Sequence, residues 1–227
     1  QGSLRVTNAN AFGNAGTSIT ARRYGVVDIM TTGFTKAVTY EAGSIERWSV
    51  DNARSGTINL GNGTLQVNAD QNNTTATIIL NGGAIEGFLR TDDPSSINSG
   101  VVFRTLGAGV SFDLAGNSFL GQNAFTDGPN GTDNGRTSDL STGVGSDVNN
   151  SSDLTGTARG AILEIKGNIS GIGGLTKQSG DLVILSSVNT YGGATNIADG
   201  TLRVGSATAL PTTTDVGTSG RGVLDLS

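Results

Sequence analysis

The sequence has 227 residues, of which 35% are hydrophobic, 15% are charged and 36 are glycine, and its net charge is −5. This composition offers no basic stripe that could neutralise phosphates, so nucleic acid is not an expected partner. Cysteine and histidine are both absent, which excludes disulfides, thiolate or imidazole metal ligands, and catalytic triads that need those residues. The apolar runs are no longer than four or five residues, so we expect no membrane insertion of this segment.

Short β-prone runs bounded by Gly, Asn, Asp or Ser follow one another along the chain, as is typical of strands joined by turns. No window keeps an apolar period of 3.6 residues over three turns, so almost no helix is expected. In chain order, the predicted strands lie at 4–6, 25–29, 36–40, 46–50, 57–60, 64–67, 76–80, 100–106, 110–114, 161–165, 181–185, 194–197, 201–204 and 222–226.

Short strands at close spacing fit a sandwich, a barrel, a propeller or a solenoid. Recurrent Asn-Gly turns, and Asn and Thr within strands, favour the solenoid, because stacked coils place like side chains above one another. The predicted fold class is therefore all-β, a right-handed parallel β-helix (β-solenoid) of about ten coils with about 20 to 25 residues per coil. All 227 residues are predicted to form one solenoid segment.

Residues 121–159 interrupt the strand pattern, because they are rich in Gly, Asn, Asp, Ser and Thr and poor in apolar residues. We expect a long polar loop that protrudes from the rod, as insertions in solenoids do. Within it, Asp127, Asp133 and Asp139 are candidate calcium ligands, since hard cations take several oxygen ligands from a compact loop. The EF-hand pattern is not met, and a solvated loop without metal is the favoured interpretation. No other cofactor is expected.

The two ends of the chain resemble each other. "GSLRVTNANAF" near the start returns as "GTLRVGSATAL" at an offset of 198, and "RYGVVDI" returns as "RGVLDLS", one residue shorter. Residues 2–29 and 200–227 are therefore predicted to be equivalent repeat ends. Either the chain is a segment of a tandem array, or its ends are equivalent surfaces that meet in a head-to-tail polymer.

One pair of side chains raises the question of enzymatic chemistry. Asp92 and Asp93 are adjacent carboxylates, but adjacent strand residues point to opposite faces and Pro94 makes this segment a turn, so we do not expect polysaccharide lyase chemistry. No catalytic residues are predicted.

The lone tryptophan, Trp48, could stack on a sugar ring, but packing is the favoured interpretation. The stretch 22–24, Arg-Arg-Tyr, is interpreted as a solvated turn between coils rather than a contact patch.

Residues 167–205, "GNISGIGGLTKQSGDLVILSSVNTYGGATNIADGTLRVG", resemble the autotransporter-associated β-strand repeat. The resemblance covers about 40 residues directly, and the first 13 residues look like the end of a preceding copy. It implies a parallel β-helical segment in which glycines form corners, apolar residues alternate into a core, with Leu182 and Ile184 among them, and an asparagine occupies a stacked corner. The positions carried over as the stacking motif are Gly173, Gly174, Leu175, Asn189, Tyr191, Gly193, Gly200, Leu202 and Val204.

The same resemblance implies a repeat-rich bacterial protein, located extracellularly or on the outer surface of a Gram-negative-type cell. The expected function is structural and non-enzymatic, with identical or homologous repeats stacking head to tail into a fibre or passenger stalk. The alternative is an adhesin or glycan-binding module that contacts surface glycans or another cell through the loop at 121–159. A polysaccharide-degrading enzyme is a third possibility, for which the sequence supplies no convergent carboxylates and base.

Overall fold

A computed structural model describes residues 2–13, 18–87, 102–121 and 161–226. These residues form strands and turns, and no helix occurs among them. The strands, in chain order, are β1 (Ser3–Val6), β2 (Ile19–Ala21), β3 (Val26–Ile29), β4 (Val38–Tyr40), β5 (Ile45–Trp48), β6 (Ser55–Gly61), β7 (Thr64–Val67), β8 (Thr75–Leu80), β9 (Ala84–Gly87), β10 (Val102–Leu106), β11 (Ser111–Leu114), β12 (Ser118–Leu120), β13 (Ala161–Ile165), β14 (Ile169–Gly171), β15 (Leu175–Lys177), β16 (Leu182–Leu185), β17 (Thr195–Ile197), β18 (Thr201–Val204), β19 (Val216–Thr218) and β20 (Val223–Asp225).

The strands build a rod with three faces, and every strand pairing among the described residues is parallel. The nine-stranded face has the order β1-β3-β5-β7-β9-β12-β15-β17-β19, and the five-stranded face has the order β10-β13-β16-β18-β20. The third face consists of the sheets β14-β11-β8-β6 and β2-β4, which meet where β4 contacts β6. In the coils β9-β10-β11 and β12-β13-β14 the chain visits the nine-stranded, the five-stranded and the third face in that order.

The predicted parallel β-solenoid is confirmed. Ile45 pairs with Thr64 and Thr64 pairs with Ala84, so a turn without insertions takes 19 or 20 residues. The nine-stranded face gives eight turns, fewer than the ten expected, because the turns that lead from β9 to β12 and from β12 to β15 contain much longer connections.

A single apolar cluster runs along the inside of the rod. It contains Val27, Ile29, Trp48, Leu65 and further side chains from all three faces. Along each strand these residues alternate with side chains on the other side of the sheet, as the pleat requires. The faces therefore enclose one continuous core.

The inward positions of β16 differ from those predicted. Leu182 and Ile184 are half-buried, whereas Val183 and Leu185 are buried in the core. In an unbroken run of four apolar residues both phases look alike, so the neighbouring coils decide which residues point inward. Here Val183 pairs with Leu163 and Leu202, which are also buried.

Candidate functional site

The stretch 173–205 places a lysine inside the rod, where it joins two successive coils. Lys177 ends β15 and is fully buried, and its Nζ lies 2.6 Å from Asp181 Oδ1. The same ammonium donates to the carbonyl oxygen of Ser179, at 2.5 Å, and to that of Asp199 in the next coil, at 3.3 Å. A buried ammonium needs this degree of satisfaction, so Lys177 stabilises the corner and its contact with the coil that follows.

Asn189 links three coils through backbone groups. Its Oδ1 accepts from the Ile169 amide at 2.8 Å, and its Nδ2 donates to the Ala209 carbonyl at 2.7 Å. Its own amide donates to the Thr208 carbonyl, and the residue is buried. Asn189 therefore lies at a corner, but its hydrogen-bond partners are main-chain groups and not stacked asparagines.

Tyr191 and two threonines form a hydrogen-bonded chain at the same end of the rod. The buried Tyr191 hydroxyl lies 2.6 Å from Thr195 Oγ1, which lies 3.2 Å from Thr214 Oγ1. Thr214 Oγ1 donates to the Gly193 carbonyl at 2.8 Å. Burial raises the pKa of Tyr191, and its hydrogen bond to Thr195 opposes that shift. The chain satisfies a phenol that would otherwise be buried without a partner.

The glycines of the motif are needed for close approach between coils. Gly173, Gly174 and Gly193 were expected at tight corners, but none has a positive φ. A Cβ on Gly193 would lie 2.4 Å from the Gly174 amide nitrogen, and one on Gly174 would lie 2.3 Å from the Ala194 carbonyl oxygen. Gly200 differs, since it has φ +67° in the turn before β18.

The apolar motif positions supply the core. Leu175 and Leu202 are buried, and Val204 is partly buried against the core. The motif therefore provides both the apolar filling of its coils and the polar groups that satisfy their corners.

A charged cluster lies within the core several coils before the motif at 173–205. Glu46 and Arg54 are buried, and Arg54 Nε lies 3.3 Å from Glu46 Oε1. Glu46 also accepts from the Trp48 indole nitrogen, at 2.6 Å, and from the Tyr40 hydroxyl. Arg54 donates to the Lys36 carbonyl at 3.0 Å. Sequence reasoning missed this cluster, although Glu46 lies two residues before Trp48 and therefore on the same side of β5.

The cluster shifts the pKa of the Tyr40 phenol. Burial and the Glu46 carboxylate raise the pKa of Tyr40 well above its usual value, against the opposing effect of Arg54. A cavity of about 250 Å³ beside the cluster is lined by Lys36, Arg54 and neighbouring residues of β4 and β6. Because the charges of Glu46 and Arg54 are directed at each other, the arrangement is that of an ion pair inside a core, in which the buried Arg54 Nε makes no hydrogen bond.

A row of polar side chains crosses successive strands of the nine-stranded face. This row, here named the polar column, occupies a single register position on β1, β3, β5, β7 and β9. Its members are Arg5, Asp28, Arg47, Gln66 and Glu86.

Hydrogen bonds and an ion pair join neighbours in the polar column. Arg5 Nε lies 3.6 Å from Asp28 Oδ2. Arg47 Nε donates to Gln66 Oε1 at 2.8 Å, and Gln66 Nε2 donates to Glu86 Oε1 at 2.6 Å. Arg47, Gln66 and Glu86 are buried, so the contacts among these three are weakly screened by salt.

The repeat ends carry the same inter-coil ion pair. Arg5 stands beside Asp28 on paired strands, and Arg203 stands beside Asp225 with Nε and Oδ2 at 2.7 Å. The matched strands nevertheless lie on different faces, β1 and β3 on the nine-stranded face and β18 and β20 on the five-stranded face. The local contact is therefore repeated, but at another place around the rod.

Both ends of the rod present strand edges. β1 and β19 are the outer strands of the nine-stranded face, and β20 is an outer strand of the five-stranded face. Val216, Val223 and Leu226 expose 41%, 52% and 74% of their surface, unlike the buried apolar residues of inner coils. At the other end, a cavity of about 470 Å³ opens between β1, β2 and β3.

The remaining predicted residues are readily placed. Trp48 is fully buried, as expected for packing, and it is no platform for a sugar. Arg22 and Arg23 are exposed in the turn beside Glu41, which confirms the solvated turn. Outside the described residues lie Asp92, Asp93, Asp127, Asp133, Asp139 and all of the loop at 121–159 except Gly121.

Within the described ranges, no three His, Cys, Asp or Glu side chains come close enough to hold a metal ion, and no helix is long and apolar enough to span a membrane. No protein-family model matches the chain, and neither the curated proteins nor the solved structures include a match.

Proposed function

We propose that this chain is a structural solenoid unit that stacks end to end with identical or homologous repeats to form a long fibre or stalk. The observation that carries the proposal is that the two ends of the chain form equivalent coils. At each end, neighbouring strands pair in parallel and carry the same Arg–Asp contact. Strand edges with exposed apolar residues normally need protection, and a further coil in register would supply it.

The charged groups inside the rod support a structural role. Glu46 is neutralised by Arg54, and Lys177 is held by Asp181 and by carbonyl groups. Each therefore has a partner that satisfies its charge, which fits stabilisation better than catalysis. The proposed function is accordingly non-enzymatic.

The proposed location is the outer surface of a Gram-negative-type bacterium, or the medium around it. This rests on the resemblance of residues 167–205 to the autotransporter-associated repeat. A sequence without cysteine is compatible with export but does not require it. Protease treatment of intact cells tests the location: loss of the chain without cell lysis is expected, and protection until lysis would overturn it.

Electron microscopy of the purified chain at increasing concentration tests the stacking. Nine strands at the spacing of paired strands give a unit roughly 40 Å long. We expect rods of constant width whose lengths are multiples of that unit. Single units at every concentration would contradict stacking between subunits, and irregular clusters would contradict stacking through the ends.

A further inference from the structure

We infer that the end of the rod formed by β19 and β20 accepts, as the next coil of a tandem copy of this sequence, a coil with the pattern of residues 31–61, rotated by one face. This inference rests on the proposed stacking and specifies its register. Residues 200–227 already provide a coil of the 2–29 type, so the coil that fits next is the one that follows residue 29.

The rotation follows from the topology. β17 is the eighth strand of the nine-stranded face, so it lies seven turns beyond β1, and β18 follows on the five-stranded face. One repeat from β1 to β18 therefore advances the rod by seven turns and one face. The turn from Ser3 to Val26 is one residue longer than the turn from Thr201 to Val223, which accounts for the gap in the sequence match.

The register follows from β3, the counterpart of β20. Ile45 and Arg47 of β5 stand beside Val26 and Asp28 of β3. On β20 the matching positions are Val223 and Asp225. A docked coil would therefore place its Ile45 beside Val223 and its Arg47 beside Asp225.

The docked coil complements the surface in polarity and charge. It would cover Val223 and Leu226, which are 52% and 74% exposed. It would also leave Asp225 between Arg203, already at 2.7 Å, and the arginine of the docked coil. Alternating charges at this position reproduce the sequence Arg5, Asp28, Arg47 of the polar column. The neighbouring edge strand, β19, is the counterpart of β2. Because β2 pairs with β4, the β4 strand of the docked coil would pair with β19.

The test is a fusion in which a second copy of residues 31–87 follows Ser227 directly. We expect amide hydrogen exchange in 214–226 to slow at least about tenfold relative to the parent chain, because an edge becomes an inner coil. The matched control carries Arg47→Asp in the second copy only, which places two carboxylates side by side and should return much of the fast exchange. Unchanged exchange in the fusion, or no effect of the charge reversal, overturns the proposed register.

A cysteine pair provides a second readout, because the chain has no cysteine of its own. Val223→Cys with Ile45→Cys in the second copy should form a disulfide, since adjacent parallel strands bring Cα atoms within bridging distance. Thr64→Cys in place of Ile45→Cys lies one coil further away and should not. The opposite result overturns the register. If the parent chain forms rods in electron micrographs but the fusion shows neither slower amide exchange nor the disulfide, only this register is rejected. The proposed structural function would then stand.

Discussion

At the scale of single residues, the most demanding groups are charges inside a narrow core. Glu46 and Arg54 are held there by Trp48, Tyr40 and the Lys36 carbonyl. A charge in such a place is tolerated only with its partner, since the desolvation penalty of either ion alone amounts to several kcal/mol. The pair thus couples β5 to the start of β6.

Removing one partner should expose that penalty. Glu46→Gln keeps the shape of the side chain but leaves Arg54 without a counter-charge, so we expect a loss of about 3–5 kcal/mol in the free energy of unfolding. The double variant Glu46→Gln with Arg54→Met should recover part of the loss, because no unpaired charge remains. Urea titration of the parent chain, of Glu46→Gln, of Arg54→Met and of the double variant measures both effects, and a double variant whose loss equals the sum of the two single losses would contradict a direct pair.

The phenol of Tyr40 predicts a loss of stability in alkali. Its folded pKa is raised by burial and by Glu46, while an unfolded tyrosine titrates near pH 10. The stabilisation is therefore complete below about pH 10 and is lost progressively as the pH rises towards the folded pKa. Tyr40→Phe should flatten the decline in the free energy of unfolding above pH 10, which urea titration at increasing pH measures. Equal slopes for Tyr40→Phe and the parent chain would argue against the assignment.

These residue contacts were only partly predictable. The resemblance of residues 167–205 to the autotransporter-associated repeat puts Asn189 and Tyr191 in the stacking motif, but it does not show that Asn189 bonds to the main chain of adjacent coils. Glu46 shares the side of β5 that carries Trp48, which signals a buried charge, yet its partner Arg54 becomes its neighbour only after the chain has turned a corner. Partners of this kind depend on the width of the rod, which no local pattern encodes.

At the scale of elements, the spacing between stacked coils limits which residues can stand at a corner. Gly192 and Gly193 are adjacent and neither has a positive φ, so they form a matched pair. A Cβ at Gly192 would meet nothing closer than 3.7 Å, whereas at Gly193 it would lie 2.4 Å from a main-chain nitrogen of the preceding coil.

We therefore expect Gly193→Ala to destabilise by about 1–3 kcal/mol through forced separation of the coils, and Gly192→Ala to change stability by no more than about 0.5 kcal/mol. Thermal unfolding followed by circular dichroism compares the two. A larger loss for Gly192→Ala would reject the close-approach role of Gly193.

Substitution of Asn189 tests whether its side chain supplies the hydrogen bonds that the main-chain groups at this corner need. Asn189→Ala leaves the Ile169 amide and the Ala209 carbonyl without their partner, and we expect a cost of about 2 kcal/mol or more. Asn168→Ala in the preceding coil removes an exposed hydrogen bond to the Val188 carbonyl, and it is expected to cost less. Hydrogen exchange at the Ile169 amide should accelerate only in the Asn189 variant, and similar exchange in both would contradict the bridge.

Sequence reasoning located longer strands better than short ones. β8 and β13 have enough apolar residues to show a pattern, whereas β2, β12 and β14 have three residues each, too few to establish alternation. The phase of β16 was predicted wrongly because "LVIL" presents an apolar residue on both sides. Elements of this length are defined by the coils above and below them.

At the scale of the whole molecule, each coil contacts chiefly its neighbours, and the repeat ends occupy different faces. The match between residues 2–29 and 200–227 is visible in the sequence, but the change of face is not, because it depends on where the strands lie around the rod. Stacked copies would therefore present equivalent side chains, such as the exposed Ile172, on successive faces.

Association through the ends predicts a difference between two exposed apolar residues. Val223 lies on the edge strand β20, whereas Ile172, which is 83% exposed, lies between β14 and β15 on an inner coil. Val223→Lys places a charge where another coil would pair, a device that blocks edge pairing in natural sheets. We expect sedimentation to show monomers for Val223→Lys and concentration-dependent oligomers for Ile172→Lys and the parent chain. Since both side chains are largely solvated, unfolding should change little in either variant; oligomers lost only in Ile172→Lys would instead indicate association through the sides of the rod.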